Sequence, residues 1–482
     1  MDTPSTKALA ELRRELQAMS PGTVDLVAVE RRIQEATHAV GRELMAEALK
    51  RADATAPEVT INGASWGNRR TQKATYVTVF GEVEVERGIY QETGRGPVAV
   101  PLELRLGIVE GRYTPVVARV LSRAIGLMTA SEAEGFLQET GVARVSVSTL
   151  HRVPRAMAAR YEQRREVIEA SVRAAHGVPA EATVVQVGLD GVMVPQDGEH
   201  AGRRGRKSAD PEPPRHEIRY GPPTRQSPAS IDDKSGRAWH EASVGTIAFW
   251  DRGGRHLGTT YLARMPESRK EALFEQLEEE LHHVLALRPE LDVAFASDGA
   301  PCHWTGLEAM AERLPSSASG QRFFLVDLFH LLERLGKAAA LIDGEGTPEA
   351  KVRLATWRET LKSFDDGAHR LLKMLRYHRD KETTSDLRAK LQQVIDYLAD
   401  QTSFGRTRYA EAIAADCPVG TGVVEAAAKT IVSVRMKRAG ARFSQHGGQS
   451  VLLFRAAVLS DRFVTLSREL ETTYTAVVRE AA

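Results

Sequence analysis

The stretch Asp416-Cys417-Pro418-Val419-Gly420-Thr421-Gly422-Val423-Val424-Glu425-Ala426-Ala427-Ala428-Lys429 predicts a loop followed by a helix. Proline and glycine punctuate the loop up to Gly422, and the good helix formers after it place Glu425 in the first turn. Glu425 and Lys429 are four residues apart and therefore share a face of this helix. The apolar stripe that we expect to face a core consists of Val424, Ala427, Ala428, Ile431 and Val434.

Basic residues follow on the same helix. Between residues 429 and 442 there are five basic side chains and no acid: Lys429, Arg435, Lys437, Arg438 and Arg442. Such clusters contact phosphate groups, but they also form ordinary solvated faces, and a glutamate in a first turn often complements the helix dipole. Taken alone, the segment favours the plain structural interpretation.

Two further acids favour a functional role for Glu425 over the plain structural interpretation, because each interrupts or closes an apolar run. Asp190 interrupts the β-branched run Val184–Val194, and Asp298 closes the run Leu291–Ser297. Strands that are apolar almost throughout belong in the middle of a sheet covered on both faces. A carboxylate buried there is costly unless a cation compensates it. Two strand carboxylates with a third on a nearby helix are the ligands that hard divalent ions need.

The composition is that of an ordinary globular protein, long enough for two or three domains. The chain has 482 residues, a formal net charge of +1 and no apolar run of membrane-spanning length. Its two cysteines, Cys302 and Cys417, exclude a disulfide framework and a four-cysteine zinc site. Cys302-His303 also lacks the spacing of a zinc site. The first residues lack the apolar core of a signal peptide, so we expect a cytoplasmic protein without a membrane partner.

Changes in periodicity divide the chain into six predicted segments. These are an N-terminal helical region (1–58), a β-hairpin-rich segment (59–110), a helical region (111–175), the first part of a mixed-sheet domain (176–342), a helical insertion (343–415) and the C-terminal helices of that domain (416–482). The region 111–175 predicts either a DNA-binding helix-turn-helix or a structural helical hairpin, with Pro154 starting its last helix. Residues 201–237, rich in Pro, Gly and Arg, predict a mobile linker rather than a DNA-contacting arm.

The order of elements from residue 176 predicts a fold of the mixed α+β and α/β class. Strands at 184–194, 241–249 and 256–265 can form an antiparallel meander. A helix, a strand at 291–297, a helix, a strand at 322–326 and a helix follow. This is the succession of a ribonuclease H-like domain, in which helices cover a mixed sheet. The charged helical pattern of the insertion then separates the fifth strand from the helix that carries Glu425.

Several of these motifs resemble the signatures of DDE transposases of bacterial insertion sequences. Residues 418–429, 435–440 and 442–444 resemble the C-terminal signature of the Kra-type group, which is related to the mutator-like transposases. Leu189-Asp190-Gly191 and Ser297-Asp298-Gly299 match the other two catalytic positions of the family. Asp327-Leu328-Phe329-His330 matches its Asp/Cys-x-x-His signature. Residues 90–96 depart from relatives that carry paired cysteines there, so we expect no zinc knuckle.

The resemblance implies two-metal-ion phosphodiester chemistry on double-stranded DNA. It implies that Asp190, Asp298 and Glu425 hold two Mg²⁺ ions, or Mn²⁺ in their place, with Asp190 bridging them. The five basic residues of the C-terminal helix would contact phosphates near the cut. Asp327 and His330 would shape the site through hydrogen bonds. The implied partners are the terminal repeats of the element and target DNA, bound by a homo-oligomer.

Two other functions remain open. A non-catalytic, DNA-binding descendant that represses or organises DNA would be expected to lack at least one of the three acids, and all three are present. A ribonuclease H-like nuclease would cut structured nucleic acid without joining the products.

Overall fold

The computed structural model describes residues 4–20, 24–92, 96–197, 231–232 and 237–480. The chain forms two compact units, one of residues 1–172 with 461–482 and the other of residues 173–460. This division separates the end of the predicted segment 416–482, from residue 461 onwards, from the rest of that segment. Most of the predicted linker 201–237 lies outside the described residues.

The first unit combines a sheet with helices. Its elements are α1 (Pro4–Ala18), α2 (Leu26–Ala52), β1 (Glu58–Ile61), β2 (Ala64–Thr78), β3 (Gly81–Glu92), β4 (Val98–Ala99), α3 (Pro101–Leu106), α4 (Pro115–Leu127), α5 (Ala130–Glu139), α6 (Val147–Gln163), α7 (Arg165–Ala174, which ends just beyond this unit), α18 (Phe463–Thr472) and β11 (Val478–Glu480). The strands follow the antiparallel order β11-β1-β2-β3-β4. β2 and β3 form the hairpin expected around Gly81, whose φ of 110° suits a glycine at the turn.

Capping side chains stand at the starts of helices α5 and α6. Thr129 and Glu132 form a capping box at α5, and Ser146 caps α6. The expectation that Pro154 starts a new helix is wrong, because α6 runs through it. Pro154 lies on the buried face of α6, which packs against α4 and α5. Packing of that face offsets the hydrogen bond that the proline cannot make.

The second unit is built on a mixed sheet, as the sequence predicts at the level of fold class. Its strands are β5 (Ala182–Asp197), β6 (Ile231–Asp232), β7 (Arg237–Asp251), β8 (His256–Arg264), β9 (Asp292–Ser297) and β10 (Arg322–Val326). The order is β10-β9-β5-β7-β8, with β6 also paired to β7. β5, β7 and β8 are antiparallel, whereas β9 runs parallel to β5 and β10 parallel to β9. This order is compatible with the ribonuclease H-like succession.

Helices account for most of the remaining second unit. They are a 3-10 turn (Ser268–Lys270), α8 (Glu271–Leu287), α9 (Pro301–Glu312), α10 (Leu328–Asp343), α11 (Pro348–Ser363), α12 (Gly367–Lys381), α13 (Ser385–Ser403), α14 (Tyr409–Ala414), α15 (Gly422–Ala427), a π-helical turn (Ala428–Ser433), α16 (Val434–Met436) and α17 (Gln445–Leu459). Helices α11 to α14 occupy the predicted insertion. Throughout both units, no described helix combines the length and apolar character needed to cross a bilayer.

Two glycines show that helices cover both faces of the mixed sheet. A methyl group on Gly188 of β5 would lie 3.0 Å from Val424 Cβ of α15. A methyl group on Gly245 of β7 would lie 2.9 Å from Leu277 Cδ1 of α8. Gly245 pairs with Leu189, the neighbour of Gly188, so the two glycines face opposite sides of the sheet. The helix that carries Glu425 therefore packs directly on the strand that carries Asp190.

Candidate metal-binding active site

The parallel pairing of β5 with β9 brings Asp190, in the middle of β5, and Asp298, just after the end of β9, to the same end of the paired segment. Leu189 of β5 pairs with Ser297 of β9, and each acid is the next residue along its chain. Asp190 Oδ1 accepts a hydrogen bond from the Gly191 amide at 2.7 Å, and Asp298 Oδ1 accepts one from the Ala300 amide at 3.1 Å. In the described part of the chain, neither Oδ2 atom accepts a hydrogen bond. In each carboxylate, Oδ1 therefore accepts a hydrogen bond from a backbone amide, and Oδ2 could bind a ligand.

Contacts of the loop and of the first helical turn place Glu425 at this edge. Gln186 Nε2 of β5 donates to the Gly420 carbonyl at 3.0 Å. The close approach of Val424 to Gly188 fixes the next turn against the same strand. Glu425 follows Val424 in the first turn of α15 and is partly exposed. The acid thus lies where two independent contacts hold its helix on β5.

The charges of Asp298 and Glu425 act on the carboxyl group of Asp190. Burial is the largest cause that raises the pKa of Asp190, and repulsion from Asp298 and Glu425 raises it further. A divalent cation would relieve both the burial cost and the repulsion. The oxygen donors suit Mg²⁺ and Mn²⁺, which prefer carboxylates, carbonyls and water. These residues therefore fit the metal ions that the family resemblance implies.

Asp327 connects the loop before Glu425 to the end of β10. Its side chain is buried, with an exposed fraction of 1% for the residue. Asp327 Oδ1 accepts a hydrogen bond from the His330 amide at 2.8 Å. Oδ2 accepts two bonds from Thr421, one from its amide and one from its hydroxyl, both at 2.5 Å. Thr421 Oγ1 also lies 3.4 Å from Glu425 Oε1, so Asp327 holds the start of the helix that presents this acid.

His330 approaches Glu425 from the first turn of α10. Its Nδ1 lies 3.3 Å from Asp327 Oδ1 and 3.8 Å from Glu425 Oε1. Asp327, His330 and Glu425 are the one group of three ligand-type side chains in the described chain whose donor atoms all lie within 4.8 Å of one another. The three acids predicted as ligands do not form such a group. Glu425 therefore has two sets of neighbours, the strand acids and the Asp327–His330 pair.

A buried network behind Asp298 escaped the sequence analysis. His303 has an exposed fraction of 2%, and its Nδ1 lies 2.8 Å from Ser297 Oγ and 3.2 Å from Asp298 Oδ1. Its Nε2 lies 3.2 Å from Lys270 Nζ, and Lys270 forms an ion pair with Glu241. Only the position of His303, five residues after the acid and directly before a predicted helix, could have indicated this role.

The network sets the ionisation of Asp298. Burial raises the pKa of this carboxyl, but the hydrogen bond and the charge of His303 outweigh burial and lower the pKa to about 2. Asp298 is therefore ionised at neutral pH, as a metal ligand must be.

A π-helical turn interrupts the helix after Glu425. The turn spans Ala428–Ser433, and a turn of this kind holds one more residue than an α-helical turn. The buried stripe consequently continues through Ile431, Val432 and Met436. Val434, which the sequence places in the stripe, is exposed instead.

The DNA contact predicted for Arg435 needs correction. Its residue is only 4% exposed, on the buried side of the helix, so its guanidinium does not face a phosphate from outside. The other predicted contacts, Lys429, Lys437, Arg438 and Arg442, are exposed. Lys429 Nζ lies 3.9 Å from Glu425 Oε2, which places one of these cations beside the acids.

The chain matches no protein-family model and no curated protein. Among solved structures, it is similar to the "Mos1 transposase paired-end complex with left transposon end", with 13% sequence identity over 66% of this chain and 82% of that chain. The TM-score is 0.16. So low a score carries no weight for fold or function, and the functional proposal rests on the residues of the site.

Proposed function

We propose that this chain is a DDE-type DNA transposase of the Kra-type insertion-sequence group. It would bind the ends of its element, cleave their phosphodiester bonds and join them to target DNA. The convergence of Asp190, Asp298 and Glu425 at one edge of a mixed sheet carries the proposal. The resemblance of the same residues to the DDE signatures supports it.

In this proposal Asp190, Asp298 and Glu425 would hold two divalent ions, and Asp190 would be the shared ligand. Such ions, when bound, supply an activated attacking oxygen and stabilise the charge on the leaving oxygen. The packing of α15 on β5 would limit the movement of Glu425.

Neighbouring side chains keep these ligands in place. Ser297 and His303 hold Asp298 through Oδ1, which orients the free oxygen. Asp327 and Thr421 hold the start of α15, and His330 lies between Asp327 and Glu425. We therefore assign Asp327 and His330 as residues that shape the site. Metal sites commonly depend on partners of this kind, which orient the ligands.

The exposed cations on the helix that carries Glu425, and in the loop between α16 and α17, would bind the DNA backbone beside the cut. Lys429, Lys437, Arg438 and Arg442 are exposed and would take this role. Binding through phosphates weakens as salt rises. We assign recognition of the terminal repeats to the helices of residues 111–175 and self-association to those of residues 1–58. The protein would act as a homo-oligomer on DNA in the cytoplasm.

The substitution Glu425→Gln tests the assignment of the third acid. We expect the variant to keep its fold and DNA binding but to lose Mg²⁺-dependent cleavage of DNA that carries the element ends. The matched control is Glu333→Gln, which removes an exposed charge from α10. Cleavage at the wild-type rate by Glu425→Gln would remove Glu425 from the site. A wild-type protein that binds the ends without cutting them would favour a non-catalytic descendant.

A further inference from the structure

The helical insertion contributes a side chain to the edge of the candidate site. Tyr397 of α13 is partly buried and lies against Gly299, the residue after Asp298. A methyl group on Gly299 would lie 2.5 Å from Tyr397 Oη, so the glycine permits this approach. Burial, with a smaller contribution from the Asp298 charge, raises the pKa of Tyr397. The phenol is therefore neutral at physiological pH.

Arg334 of α10 stacks on this tyrosine. Its Cζ lies 4.0 Å from the centre of the Tyr397 ring. Arg334 is exposed, and no carboxylate in the described chain forms an ion pair with it. A guanidinium that stacks on a ring by its face keeps N–H groups at its edge for a planar anionic ligand. The ring thus holds a cation that no carboxylate in the described part of the chain neutralises.

Arg334 lies on the same face of α10 as His330, which is next to Glu425. His330, Arg334 and Lys337 are four and three residues apart, so they follow one face of α10. The row begins at His330, beside Glu425, and covers about 10 Å along the helix. Arg334 and Lys337 are both exposed. A strand of DNA that enters the site across Gly299 would meet this row next.

We propose that Arg334, held by stacking on Tyr397, binds a backbone phosphate of DNA next to the cleavage site. The ligand is a phosphodiester group, which a guanidinium can bind with two parallel hydrogen bonds. The inference rests on the proposed function only in taking DNA as the ligand. It gives the helical insertion an indirect part in holding the substrate, because Tyr397 positions Arg334.

The test measures binding of a short fluorescent DNA duplex to the full-length protein by anisotropy over a range of KCl concentrations. For Arg334→Ala we expect about tenfold weaker binding at low salt, the usual scale for a hydrogen bond to a charged group. The slope of log affinity against log salt should fall by about 0.9, the value for one phosphate contact. Arg334→Lys should restore the slope but not the full affinity, because lysine keeps the charge and loses the planar stack.

Variants of the tyrosine and a matched arginine complete the test. Tyr397→Phe keeps the ring and should bind as the wild type does, whereas Tyr397→Ala should weaken binding. Arg358→Ala removes an exposed arginine from α11 and should change neither affinity nor slope. Thermal unfolding of each variant shows whether it is folded. Wild-type binding and slope for Arg334→Ala, or equal losses for Arg334→Ala and Arg358→Ala, would overturn the proposal.

The outcome separates this inference from the transposase proposal because binding is measured without cleavage. A wild-type protein that binds DNA but does not cut it removes the transposase function and leaves the phosphate site testable. A wild-type protein that cuts DNA, with Arg334→Ala binding unchanged, removes only the phosphate site. A wild-type protein that binds no DNA overturns both.

Discussion

Replacing Thr421 with valine tests whether the loop before Glu425 is held by Asp327. The Thr421 hydroxyl donates to Asp327 Oδ2 at 2.5 Å, and both residues are buried. Valine has almost the same shape, so the substitution removes the hydrogen bond without opening a cavity. The amide of residue 421 still donates to the same oxygen.

The expected loss of stability in Thr421→Val follows from the carboxylate acceptor of the hydrogen bond. A hydrogen bond to an ionised group contributes about 1.5–3 kcal/mol, about twice the value for neutral pairs. We therefore expect Thr421→Val to lower the free energy of unfolding by about 2 kcal/mol. Because the same hydroxyl lies 3.4 Å from Glu425 Oε1, the acid should also lose its fixed position. A displaced catalytic group costs up to about a hundredfold in rate.

The assay combines thermal unfolding, followed by circular dichroism, with cleavage measured well below the unfolding midpoint. Thr430→Val is the matched control, because its exposed hydroxyl bonds only to helix carbonyls. Its effect should stay within about 0.5 kcal/mol. Combining Thr421→Val with Asp327→Asn should cost less than the sum of the two, since each weakens or removes the same charged hydrogen bond. Unchanged stability and cleavage for Thr421→Val would refute this account of the loop.

Three further predictions concern other parts of the second unit. Hydrogen bonding to a buried imidazole lowers the pKa of Glu241 to about 2, so its stabilising effect is complete above the ordinary value of 4.5 and is lost as pH falls towards 2. The unfolding midpoint should therefore drop more steeply in this window for wild type than for Glu241→Gln. The double substitution Lys437→Glu and Arg438→Glu should weaken binding of the element ends and reduce the dependence of this binding on salt. An unchanged salt dependence would mean that these two residues form an ordinary solvated surface. Gly188→Ala should press on the Thr246 hydroxyl of β7 and on Val424 of α15, destabilise the fold by about 1–3 kcal/mol and slow cleavage. Wild-type stability would contradict the close packing.

The pattern of the sequence was sufficient for the main elements of the second unit. β10 has the predicted bounds, and β9 and α10 begin within one residue of the prediction, because each has a strong apolar period and a clear capping or turn signal. The register that pairs Leu189 with Ser297 is known only from the structure, because the order of elements does not determine it. The assignment of the acids as metal ligands remains a prediction.

Other features depend on tertiary contacts that no local pattern carries. Because the π-helical turn holds one extra residue, Met436 is buried in the apolar stripe and Val434 is exposed. A prediction that assumes the α-helical period does not include this extra residue. Arg435 was predicted as a surface cation because charged residues are rarely buried. The approach of Tyr397 to Gly299 joins residues about a hundred positions apart, and nothing near either residue indicates it.

Cleavage and strand transfer by wild type and Asp190→Asn test the central claim most directly. The substrate is DNA that carries the ends of the element encoding the protein, with Mg²⁺ or Mn²⁺ added, and Asp251→Asn at the far end of the sheet provides the control. We expect the wild type and the control to cut and join the DNA, and Asp190→Asn to bind the ends without cutting. Cleavage that survives Asp190→Asn would contradict the placement of the active site at this edge.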